Sequence, residues 1–194
     1  MEKKIFYIDI DINDKITGMN CIALVDNPAV EKDFLCFEKQ EPVKLQFNKD
    51  EHIITGVVAL ADTPIYRNYN GYEYYVVFTK DVIKKLVYKY SKQGLFNSVN
   101  LQHDDNQPVN NAIMIESYII NKERGIVPEE FKDVPDGSWM ATYYIDDDNL
   151  WNEIINGDKL NGFSLQGQFN LEDMIPEAFH KEETFDEWIK SYIE

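Results

Sequence analysis

Cysteine and histidine are the scarce residues: two Cys (Cys21, Cys36) and three His (His52, His103, His180) in 194 residues. No CxxC pair or Cys/His cluster accompanies them, so neither a disulfide framework nor a zinc site is indicated, and both thiols are expected to be reduced core residues. Positive charge is also thin, with 19 Lys and Arg against 35 Asp and Glu and a formal net charge of -16. Such a surface repels phosphate backbones, which excludes a general nucleic-acid binder and favours basic partners. No run approaches the ~18 consecutive apolar residues of a membrane-spanning helix. The opening MEKKIFYIDIDIND alternates apolar and charged positions where a signal peptide would carry an apolar run. The expectation is a soluble, cytoplasmic chain that engages no membrane.

What is present is material for a core: 44% of residues are hydrophobic and 13% aromatic, far from the disordered range. Residues 53–194 are expected to form the main domain with a C-terminal helix. Residues 1–52 should add an N-terminal strand (4–12), a short helix begun by Asn27 and Pro28, and a polar connection packed on that domain. Continuous or alternating apolar stretches predict strands at 53–60, 72–78, 98–103, 112–120, 137–145 and 162–169, with 62–71 as a loop. Thr79 and Gly94 bracket a helix whose Val82, Ile83, Leu86, Val87 and Tyr90 recur at helical spacing. A second helix is expected from Asp146 to Gly157, and a last one after the capping box Thr184/Glu187. The strands of 98–103 and 112–120 read most simply as a hairpin. Short strands outnumber helices without βαβ alternation, so the expected class is α+β: a small, mostly antiparallel β-barrel surrounded by helices.

Two residues stand out as chemistry. His103 closes an alternating strand at an acidic, proline-containing loop, where a side chain is held yet reaches a cleft. Ser164 lies in Gly162-Phe163-Ser164-Leu165-Gln166-Gly167, facing away from Phe163; alone it reads as an ordinary strand serine beside glycines that mark a bend or bulge. The nucleophile elbow GxSxG does not fit, because the second glycine is one residue late and no helix pattern follows. A metal site on His103, Asp104 and Asp105 is poor, since adjacent ligands on an extended chain diverge.

Taken together, ITGVVALADTPIYR, YYVVFTKDVIKKL, NSVNLQHD, IESYII, GSWMATYYI and NLWNEIINGDKLNGFSLQGQF resemble the XkdF-like family of phage serine proteases over about residues 53–169. The order of landmarks, a His ending a strand, a GSW strand, a Trp-bearing helix and then GFS, carries the likeness. The resemblance implies the prohead-protease and herpesvirus-assemblin group: a β-barrel with helices, and a Ser/His centre that cleaves scaffold and major capsid proteins inside the assembling procapsid in the host cytoplasm, without a cofactor. It puts the histidine at His103 and the serine at Ser164, and suggests a homodimer docked through the last helix; self-cleavage stays open. Three descriptions of the third member remain: Glu116, favoured if its strand pairs with that of His103; His180, the assemblin-like choice; and a plain dyad. A symmetric hairpin would still leave Glu116 about 13 Å along the strand, and Asp104 should point to the opposite face. The rival from another class is an inactive procapsid assembly protein of the same fold.

Overall fold

The computed structural model describes residues 3–14, 17–26, 44–156 and 160–169. In chain order these form β1 (Lys4–Tyr7), β2 (Gly18–Val25), β3 (Gln46–Asn48), β4 (Ile53–Ala59), β5 (Pro64–Tyr69), β6 (Tyr72–Val77), α1 (Lys80–Gln93), β7 (Val99–Leu101), β8 (Asp104–Pro108), β9 (Ala112–Ile119), a 3-10 turn at Glu129–Phe131, β10 (Trp139–Ile145), α2 (Asp148–Asn156) and β11 (Gly162–Gln168). The expected helices at Asn27 and Thr184, together with Cys36, Gly157 and His180, lie outside the described residues.

The strands make three sheets, ordered β1-β6-β5, β3-β4-β10-β9 and β11-β2-β7-β8. This corrects the expected barrel surrounded by helices. A barrel closes a single sheet and leaves no edge. Here every sheet keeps two edge strands, and two α-helices stand among the described residues. The chain is a sheet-rich α+β fold. Two pairings are parallel: β1 lies at the edge of its sheet beside β6, and β2 lies between β11 and β7, strands that come much later in the chain. No helix among the described residues is long and apolar enough to cross a membrane.

Local chemistry explains the elements. Thr79 accepts from the Val82 amide at the start of α1, and Gly94 ends it in the left-handed region at φ 71. Val82, Ile83, Leu86 and Tyr90 bury the face turned to the sheets. For α2, Asp147 rather than Asp146 receives the free amides, from Asn149 and Leu150. The expected loop at 62–71 is instead β5 and its turn to β6, where Asn70 and Gly71 sit at φ 50 and 87. Positive φ at both central positions is the type I′ geometry whose twist suits two strands, and Asn-Gly is its preferred pair.

The expected hairpin of 98–103 with 112–120 is likewise corrected: β7 pairs with β2 and β8, whereas β9 pairs with β10. The cause lies in β10. Trp139, Ala141, Tyr143 and Ile145 enter the main core while Met140 enters a second cluster with Val57, Leu60, Ile120, Phe131 and Val134. A strand buried on both faces is stabilised by two neighbours, and β10 takes β4 and β9.

Lys89 is buried at 4% exposure, and its ammonium donates to the backbone carbonyls of Thr17 and Asp11, tying α1 to the segment that enters β2. At this same end of β2, Gly167 sits where β11 slips register on it. A Cβ there would lie 2.1 Å from the Gly18 carbonyl oxygen and 2.7 Å from Met19 Cα. Backbone cannot yield as a side chain can. Gly167→Ala is therefore expected to lower the stability to urea by about 1–3 kcal/mol or more, whereas Gln168→Ala, at an exposed position, should stay within about 0.5 kcal/mol.

Candidate active site

Ser164 and His103 both belong to the sheet β11-β2-β7-β8. Register aligns Ser164 with Ala23 and Ala23 with Asn100, a row across three strands; Gln166 and Cys21 form the next row on β11 and β2. Because side chains alternate along a strand, these residues share one face, and Phe163, Ile22, Leu24 and Val99 take the other, in the main core. The Ser164 face is closed as well: Ser164 is 4% exposed, Asn100 3% and Ala23 0%.

His103 sits in the two-residue turn from β7 to β8, next to Gln102; their φ values are 61 and 53. Two non-glycine residues thus hold the positive φ that a type I′ turn demands, the kind of local strain that clusters at working sites. After the turn β8 bulges, since Leu101 pairs with Asp104 but Asn100 with Pro108. The bulge carries Asp105 into the face that holds Gln166. There Asn100 Nδ2 donates to Gln166 Oε1 at 2.7 Å and to Asp105 Oδ1 at 3.3 Å, and Gln166 Nε2 donates to Asp105 Oδ1 at 2.8 Å. Asn100 Oδ1 is a buried acceptor without a partner among the described residues.

His103 is exposed at this turn. Desolvation by the atoms around the ring still lowers its pKa below the ordinary value, Gln166 opposes this, and the charge of Arg67 on β5 adds to the lowering. A lowered pKa favours the neutral imidazole, the form a general base requires. Cys21, a thiol on the same face, has its pKa pushed up, above all by burial, so the thiolate is disfavoured.

The remaining candidates lie elsewhere. Glu116 is exposed on β9 and opposite Thr142 of β10, whose hydroxyl donates to its Oε2 at 2.8 Å. Strand pairing does not bring it to His103. His52 stacks on Trp151 with ring centroids 4.7 Å apart. Asp104 accepts from Asn106 and Gln107, turned from the cluster that Asp105 joins. No hydrogen bond joins Ser164 to His103 among the described residues. Gly167, one of the glycines flanking Ser164 in sequence, packs on the β2 backbone. Two clefts of about 370 Å³, one lined by Thr17–Asn20, Gln93, Leu95 and Gln168 and the other by residues of the β8–β9 connection and α2, include neither Ser164 nor His103.

Sequence reasoning missed Asn100 and Gln166 as members of this cluster and Arg67 beside His103, and weighed Asp105 only as a poor metal ligand. For Gln166 the signal was present, since it stands two residues beyond Ser164 and so on the same face. Arg67 was concealed in the supposed loop. Compared with family models, curated proteins and solved structures, the chain matches none.

His103 should titrate with a midpoint below 6.5 in an NMR pH series that follows the three imidazoles. Between that midpoint and 6.5 the unfolded chain binds more protons than the folded one, so this group makes stability rise with pH across the window. A midpoint at or above 6.5 would contradict the environment described.

Proposed function

We propose that the chain is a serine endopeptidase of the prohead-protease kind, in which Ser164 is the nucleophile and His103 its general base. The observation that carries this reading is that Ser164 and His103 belong to one sheet, with Ser164 aligned across β2 with Asn100 of the strand whose turn holds His103. The order of sequence landmarks around these two residues supports the same assignment. His103 would take the Ser164 proton as Oγ attacks a scissile amide carbonyl. It would then return the proton to the leaving amine, and water would hydrolyse the acyl-enzyme. No cofactor enters this sequence of steps. The acid-rich composition suits basic stretches of scaffold and major capsid proteins as substrates, met inside the procapsid. At 4% exposure, Ser164 meets a substrate strand only once atoms over its face are displaced.

Co-expression with scaffold and major capsid proteins tests the assignment. Wild type should cleave them, and Ser164→Ala and His103→Ala should each lower the rate by about 10³-fold or more while circular dichroism stays unchanged. Equal cleavage by wild type and Ser164→Ala would remove the serine from the mechanism. A wild-type chain that co-assembles but cleaves nothing would establish the rival, an inactive procapsid protein.

A further inference from the structure

Resting on the assignment of Ser164, we propose that residues 103–108 are a latch, closed over the Ser164 face by a bridge of Asn100, Gln166 and Asp105, and that its release admits the polypeptide substrate. Strand β2 lies between β11 and β7, which places those two strands about 10 Å apart. Asn100 Nδ2 nonetheless reaches Gln166 Oε1 at 2.7 Å, so the two amides meet above β2, over Ala23 and Cys21, whose short side chains leave them room. Asp105 starts one strand further away, on β8, yet its Oδ1 accepts from Gln166 Nε2 at 2.8 Å and from Asn100 Nδ2 at 3.3 Å. A flat sheet would separate β8 from β11 by about 14 Å, more than a Gln and an Asp side chain joined by one hydrogen bond can span. The arm is therefore folded back across the face. On β2 beneath the bridge, Ala23 is 0% exposed and Cys21 7%.

Little else anchors the arm. His103, Asp104, Asp105, Asn106, Gln107 and Pro108 put no aliphatic or aromatic side chain into the core, and all but the half-buried Asp104 are exposed. The ladder to β7 is broken by the bulge, and Pro108 has no N–H to give. Asp104 accepts from Asn106 and Gln107, so the arm holds its own shape and moves as one piece. Both ends are tied down: the Gln102 N–H donates to the Leu24 carbonyl at 2.9 Å, and the Val109 N–H to the Val99 carbonyl at 2.8 Å. Between these ties, Asp105 supplies the hydrogen bonds that join arm to sheet. Closure also keeps the Asn100 carbonyl oxygen buried with no partner among the described residues, and opening would return water to it. Because His103 rides on the arm, at a strained φ of 61, release moves the base as well as the cover over the nucleophile.

Cys21 reports the latch without reference to catalysis. Iodoacetamide is applied to the full chain at fixed pH, and mass spectrometry of the digest separates the labelling of Cys21 from that of Cys36. Asp105→Ala and Gln166→Leu should each speed Cys21 labelling roughly 10-fold, the effect of losing a hydrogen bond to a charged group. Low urea should leave those rates unchanged, because a local opening exposes little surface. Glu116→Gln, on another sheet, should label as wild type. If Gln166→Leu does not fold, Asp105→Ala, at an exposed position, decides alone. Equal Cys21 labelling in wild type and the folded variants would overturn the proposal, as would an acceleration that merely follows the loss of global stability in urea. Ser164→Ala scores the protease reading separately. Faster Cys21 labelling in a chain whose cleavage ignores Ser164 keeps the latch and removes its substrate. Ser164-dependent cleavage with Cys21 labelling unmoved keeps the protease and removes the latch.

Discussion

β2 is hydrogen-bonded along both of its edges, to β11 on one side and β7 on the other, and on that double pairing the arrangement of Ser164 and His103 depends. Either pairing alone would leave the serine strand and the histidine turn in separate sheets. Burial secures it: Ile22 and Leu24 are fully enclosed on the core side, each worth roughly 1.5–3 kcal/mol relative to exposure. Close approach secures it too, since Gly167 lets β11 lie against Gly18 and Met19 with no room for a side chain. Lys89 adds a third tie by fixing the entry of β2 to α1 through backbone carbonyls.

The two faces of this sheet follow opposite rules. One is an ordinary apolar surface. The other buries Ser164 and Asn100 together with a thiol, although a sheet built for stability alone would place aliphatic side chains there. Hydrogen bonds from the Asn100 amide nitrogen to Gln166 and Asp105 offset part of that cost, but among the described residues the Asn100 carbonyl oxygen has no partner, a loss on the order of 1–3 kcal/mol. Where local rules are broken within an otherwise consistent fold, the breach marks working residues more often than poor packing. The strained turn at Gln102 and His103 is a second breach within the same sheet.

Helix α1 was legible to the residue, because a capping threonine, an apolar stripe and a terminal glycine are all local signals. Strands β4, β6, β9 and β10 were legible for the same reason: runs of β-branched and aromatic residues declare themselves. Strand β5 was overlooked although its Asn70-Gly71 turn is a strong hairpin signal; Pro64, Arg67 and Asn68 gave the segment the look of a loop. The partners of β7 were beyond local reading. A hairpin with 112–120 is the shortest connection, yet β10 competes for that strand with a more apolar surface, and β2 reaches β7 from a distance no periodicity records. The site followed suit. His103 and Ser164 could be singled out from composition and landmarks, while Gln166, Asp105 and Asn100 gain meaning only through register. Glu116 drew attention through a pairing that β9 does not make.

The β2–β11 pairing also sets a clock. Ala23 and Ser164 are partners across well over a hundred intervening residues. A ribosome adding about 5–20 residues per second takes roughly 7–28 s to make that stretch. Throughout this interval the β2 edge waits without β11, and closing so long a loop comes late because its entropy must be offset by contacts formed at once. Strand β11, with Ser164, is thus the last of the described strands to arrive. A nascent chain carries His103 in its turn well before it carries Ser164, so whatever the two residues do together can begin only once the other described strands have been made.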